Sequence, residues 1–74
     1  MLGERHILTL ADWRAWLRSR IAELGLNQRE VDELAGLSEG HCAKILCGLR
    51  DPTLETALRL EAALSRHAGA RLEA

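Results

Sequence analysis

The sequence predicts an all-α domain of four short helices, and three observations carry that prediction. Apolar residues recur at three- and four-residue steps from Leu10 to Leu24 and again from Leu54 to Leu64, the period of a helix with one buried face. Between these stretches Asn27 and Glu30 form an N-x-x-E capping box, in which side chain and backbone satisfy each other at a helix start. Gly25, Gly36 and Gly48 stand where the intervening helices should stop, as left-handed C-terminal glycines do.

A chain of 74 residues makes one domain, near the size at which a single core is just adequate without disulfides, metal or a partner. Its 47 % hydrophobic and 28 % charged content belongs to a folded globular chain and excludes a disordered one. No run of eighteen apolar residues and no signal-peptide pattern is present, so the sequence predicts neither a membrane span nor a leader, and the cytoplasm is the expected compartment.

Residues 1–8 have no helical period; Arg5 to Leu8 reads either as a short strand or as a loose terminal arm. Thr9 with Asp12 three residues on resembles a capped helix start. Leu10, Trp13, Leu17, Ile21 and Leu24 then form one apolar face of a helix over about 10–24. Trp16 lies about 100° off that stripe, either covering the core edge or anchoring a contact with another chain.

The capping box starts a second helix over about 28–35, with Val31, Leu34 and Ala35 inward and Arg29, Asp32 and Glu33 toward water. Gly36 supplies the positive φ of a tight turn, Leu37 enters the core, and Ser38 is placed to cap the next helix. That third helix is expected over about 39–47, with Cys42, Ile45 and Leu46 inward and Glu39, Gly40, His41, Ala43 and Lys44 outward. Gly40 inside it costs about 0.5 to 1 kcal/mol relative to alanine.

Residues 49–52 form a loop made sharp by Asp51 before Pro52, and Thr53 caps a fourth helix over about 54–65 that carries Leu54, Ala57, Leu58, Leu60 and Leu64. The tail 66–74 contains Gly69, and the alternation from Ala70 to Ala74 reads either as a short strand or as nothing ordered.

The net charge is -1, whereas a nucleic-acid binder usually carries excess Lys and Arg. Residues 25–54 are the most acidic third, with Arg29, Lys44 and Arg50 against Glu30, Asp32, Glu33, Glu39 and Asp51. What matters is which way each charge faces. Cys42 and Cys47 would point about 140° apart on one helix, so no intrachain disulfide is expected. With His41 they fit no chelating spacing, and no metal is expected. His6, His41, His67 and the two thiols assemble no set of nucleophile, base and oxyanion donors, so an enzyme is not expected.

The run Leu17 to Leu64, about two thirds of the chain, resembles the phage-repressor and Cro type of helix-turn-helix domain, the Xre-like regulators. The resemblance rests on Gly25-Leu26-Asn27-Gln28, Leu34-Ala35-Gly36-Leu37-Ser38, Ile45 with Gly48, and Arg50-Asp51-Pro52-Thr53-Leu54-Glu55-Thr56, all in one ungapped register. It implies a four-helix lambda-repressor-like fold and a homodimeric transcriptional regulator, a repressor or an antitoxin-like protein, with the third helix in the major groove of double-stranded DNA. Gln28 matches the family's phosphate-binding glutamine. Glu39, Gly40, His41 and Lys44 match positions that touch base edges or nearby phosphates, and Leu49 and Arg50 match the loop that meets the backbone again. Arg29 and Ser38 flank these positions and complete the candidate DNA-binding set. No cofactor is implied, and an antitoxin-like role implies a toxin partner.

Three departures stand out. A buried arginine and glutamate common in the family are replaced by Ile21 and Leu46, an apolar exchange that is neutral or stabilising when both partners change; it predicts that Ile21 and Leu46 touch. Arg20 and Glu61 occupy positions usually apolar or small, and either pair with each other or lie at the rim. Glu39 would repel phosphate but can accept from a cytosine amine, and Gly40 has no side chain with which to read. The alternative function is the same fold used as a protein-interaction module, through its acidic face and Trp16, without DNA binding.

Overall fold

The computed structural model describes residues 9–73, with side chains from 9 to 70. Four helices span them: α1 (Leu10–Glu23), α2 (Gln28–Ala35), α3 (His41–Leu46) and α4 (Leu54–Glu73). The helix starts follow the sequence signals. Asp12 N–H donates to Thr9 Oγ1 at 3.1 Å and Thr9 N–H to Asp12 Oδ2 at 3.2 Å. Glu30 N–H donates to Asn27 Oδ1 at 2.8 Å and Asn27 N–H to Glu30 Oε1 at 2.9 Å. At α4, Thr56 N–H donates to Thr53 Oγ1 at 3.1 Å.

α3 packs against α1 and α2, and α4 lies along α2. The core takes Trp13, Leu17, Ile21 and Leu24 from α1 and its end, and Val31 and Ala35 from α2. Cys42, Ile45 and Leu46 of α3 and Leu60, Ala63 and Leu64 of α4 complete it. Trp16 packs against this cluster from the edge, its ring 6.4 Å from that of Trp13. Ile21 and Leu46, where an apolar pair was expected, are both buried in the cluster and line one cleft.

Three expectations are corrected. α4 runs to Glu73, not to Ser65, and no strand occurs among the described residues. Ala68 extends the Leu60–Leu64 series by another four-residue step and packs against the core, which carries the helix through Gly69. Arg5 to Leu8, read as a short strand or a loose arm, lies outside the described residues.

Leu54 and Leu58 do not enter the core; they are 75 % and 56 % exposed. Residues two apart on a helix point about 160° away from each other, so Leu58 and Leu60 cannot share a face, and the series through Leu60 and Leu64 is the buried one. Leu34 is similarly turned outward, because the inner face of α2 is centred on Val31, Asp32 and Ala35. Of the two readings of Arg20 and Glu61, the rim position holds: both are half-buried, Arg20 pairs with Glu23 at 3.2 Å, and Glu61 accepts from Trp13 Nε1 at 3.0 Å.

Cys42 is buried and Cys47 exposed. Burial, aided by the carboxylate of Asp32, pushes the Cys42 thiol up from 9.0 to about 11. Because its folded value is raised, its contribution to stability is full below pH 9 and is lost as pH rises toward 11. Two results are therefore expected. An aromatic disulfide reagent at neutral pH labels one thiol per native chain, at Cys47, and Cys42 only after unfolding. The urea midpoint falls between pH 9 and 11 in the wild type, and this fall is diminished in Cys42→Ala.

Candidate nucleic-acid interface

The turn between α2 and α3 is built on Gly36, whose φ of 72° is left-handed and so suits a residue without Cβ. Leu37 N–H then reaches back to Asp32 O at 2.8 Å, satisfying a carbonyl that the end of α2 would leave open.

The start of α3 differs from expectation. The helix begins at His41, its N-cap is Gly40 with φ 88°, and no side chain of the N-cap makes the capping bond. Ser38 is exposed and does not cap it. Gly40 is therefore not a misplaced interior residue; it occupies a left-handed position before the helix. The cap comes from α2. Asp32, expected in water, is 2 % exposed; Gly40 N–H donates to its Oδ2 at 2.9 Å and Cys42 N–H to its Oδ1 at 2.8 Å. A carboxylate at the positive end of the helix also opposes the macrodipole favourably.

The other end of α3 is held from α1. Arg14 Nε donates to Ile45 O at 2.7 Å and Arg18 Nη2 to Leu46 O at 2.8 Å. A six-residue helix is far below the length that is stable alone, so these side chains and the core contacts of Cys42, Ile45 and Leu46 keep it formed. Sequence reasoning missed all three polar residues. The signal for Asp32 was a glycine at the α3 start with no cap of its own; Arg14 and Arg18 showed only as a four-residue pair flanking the α1 stripe.

The expected site residues divide between the two ends of α3. Gln28 is exposed and lines a cleft with Arg18, Asn27 and Leu46, which sets the start of α2 beside the exit of α3. Leu49 and Arg50 N–H both donate to Lys44 O, at 3.0 and 3.2 Å, so the Arg50 loop folds back onto the same end. Lys44 and Arg50 are exposed. Glu39 is exposed at the opposite end, with Gly40 and His41 half-buried. Arg29 is exposed on the first turn of α2.

This geometry resolves the acidic balance of residues 25–54. Of the five acids, Glu30 is bound to Asn27 N–H, Asp32 is buried under α3, and Asp51 pairs with Arg14 at 2.7 Å. Only Asp32 leaves the surface: Glu30, Glu33, Glu39 and Asp51 stay exposed with Arg29, Lys44 and Arg50, and Arg14 of α1 offsets Asp51. With Arg14 included, the exposed charges of this segment are close to balance although its sequence is acidic.

A family model for the helix-turn-helix of the Xre and lambda-repressor type matches residues 17–68. The chain belongs to that helix-turn-helix family. No curated protein and no solved structure matches the chain. The family is one of DNA-binding regulators of transcription and not of enzymes. In helix-turn-helix terms α2 and α3 are the two helices of the motif, and no group of His, Cys, Asp and Glu able to hold a metal occurs among the described residues. No helix among them is long and apolar enough to cross a membrane.

Proposed function

We propose that this helix-turn-helix protein is a sequence-specific repressor or antitoxin-like regulator, acting in the cytoplasm as a homodimer with α3 in the major groove. One observation carries the reading: Gln28, Lys44 and Arg50 gather around the exit of α3, and neither cation has an ion-pair partner among the described residues. Lysine and arginine in such places contact phosphates or guanine edges, and an exposed amide suits a phosphate oxygen. Arg29 and Ser38 border this face, His41 shares a helix side with Lys44, and Glu39 and Gly40 form its poorest part. The homodimer would place two α3 helices about 34 Å apart, one duplex turn. Leu54 and Leu58, bordered by Glu55, Arg59 and Arg66, offer an apolar face with both signs of charge, as a two-fold contact between like chains needs.

The test is a shift assay with labelled duplexes from the protein's own upstream region. Binding is expected to weaken steeply as salt rises. Arg50→Ala and Gln28→Ala should each reduce affinity on every sequence, Arg50→Ala lowering the salt slope by about 1. No shift at low salt, together with a protein partner whose capture survives Lys44→Ala, would replace this reading by that of an interaction module.

A further inference from the structure

Arg14 lies on α1, outside the face assigned to DNA, and its side chain is 18 % exposed. Its guanidinium makes three bonds. Nε donates to Ile45 O in the last turn of α3, while Nη2 donates to Arg50 O at 3.2 Å and to Asp51 Oδ1 at 2.7 Å. One rigid fork thus ties α1 to the end of α3 and to the loop beyond it. Arg suits this because its donors are planar and fixed, which a lysine cannot reproduce.

The backbone of Arg50 is consequently held from both sides. Its N–H is bound to Lys44 O and its carbonyl to Arg14. Its side chain alone is left exposed. The geometry points to Arg14 and Asp51 as a positioning pair for DNA binding: they fix the Arg50 backbone so that its guanidinium is presented to a phosphate next to the groove that α3 enters. This rests on the reading of Arg50 as a phosphate contact and adds the residues that aim it.

The bland account of the same bond is an ion pair of little consequence, since Asp51 is 76 % exposed and exposed pairs contribute little to stability. The two accounts predict opposite signs. Asp51→Asn removes a negative charge beside the interface, so electrostatics alone tightens DNA binding. If Asp51 instead holds Arg14 against the loop, losing the charge weakens that hold, since an amide oxygen accepts more weakly than a carboxylate, and DNA binding loosens.

The experiment measures affinity for a mixed-sequence duplex of about 30 base pairs between about 50 and 200 mM KCl, since phosphate contacts need no particular sequence. Asp51→Asn is expected to bind about fivefold more weakly, with a salt slope lower by about 1, as one lost phosphate contact gives. In Arg50→Ala the same substitution should no longer weaken binding, because the group it aims is gone and only the small electrostatic gain remains. Arg14→Met, which also frees Ile45 O and Arg50 O, should weaken binding at least as much as Asp51→Asn, and circular dichroism checks that both variants are folded.

Tighter or unchanged binding by Asp51→Asn with an unchanged slope overturns the inference, as do losses that simply add to that of Arg50→Ala. A wild-type protein that binds no duplex at low salt removes the DNA reading itself and this inference with it. Wild-type binding with an indifferent Asp51→Asn removes only the inference.

Discussion

Asp32→Ala is expected to lower the melting temperature by roughly 15 °C. The substitution leaves the N–H groups of Gly40 and Cys42 without their acceptor, at a position where water has little access because Asp32 is 2 % exposed. Hydrogen bonds to a charged group contribute about 1.5 to 3 kcal/mol each, so the loss is about 3 kcal/mol even if the two overlap. In a domain of this size each kcal/mol moves the midpoint by about 4–8 °C. Asp32→Asn keeps one acceptor oxygen and should fall between the two. Thermal unfolding followed at 222 nm measures the difference, and a shift of only about 2 °C for Asp32→Ala would mean that the cap contributes little to the fold.

A comparable loss is expected on α4, and there the contrast between two leucines is the sharper test. Leu60 is fully buried, so Leu60→Ala removes its transfer free energy and leaves a cavity, together about 3 kcal/mol. Leu58, two residues earlier, is 56 % exposed, and Leu58→Ala should change the urea midpoint of the monomer by less than about 0.5 kcal/mol equivalent. At higher protein concentration the order changes if Leu58 lies in the contact between two copies: sedimentation then shows weaker association for Leu58→Ala. Equal destabilisation of the monomer by the two variants would mean that α4 presents a different face to α2.

Most of the framework was legible because it rests on local rules. The Thr9 and Asn27 boxes need only four residues each, and the left-handed glycine of the turn needs one. The α1 stripe is unambiguous since Trp13, Leu17 and Ile21 leave no competing face. On α4 the leucines outnumber the positions on one face, and only packing against α2 decides that Leu60 wins over Leu58. The tail differs from expectation for a related reason: Gly69 is a weak helix former, yet Ala68, one more four-residue step after Leu64, packs on the core and the helix continues.

The site was legible as to which residues face out, but not as to what holds them. Gln28, Lys44 and Arg50 follow from the resemblance to the family's contact positions, and all are exposed. Asp32 was placed in water because an aspartate between Val31 and Glu33 has no local reason to be buried. Its partners are 8 and 10 residues away, across a turn, and a bond of that kind follows from the crossing of α2 and α3. Arg14 and Arg18 reach acceptors about 30 residues distant, and nothing in their neighbourhood announces it. The acidic count of the motif overstates its surface charge for the same reason: it does not show that Asp32 is buried under α3 or that Asp51 lies against Arg14.

The division of labour at α3 bears on how such a protein changes its target. Neither end of the helix is secured by its own side chains; the supports are Asp32, Arg14 and Arg18, on two other helices. They grip main-chain atoms, which every amino acid but proline supplies. His41, Ala43, Lys44 and Cys47 are therefore free to be exchanged without dismantling the element that displays them. Specificity can drift, or be grafted, while the fold stays put.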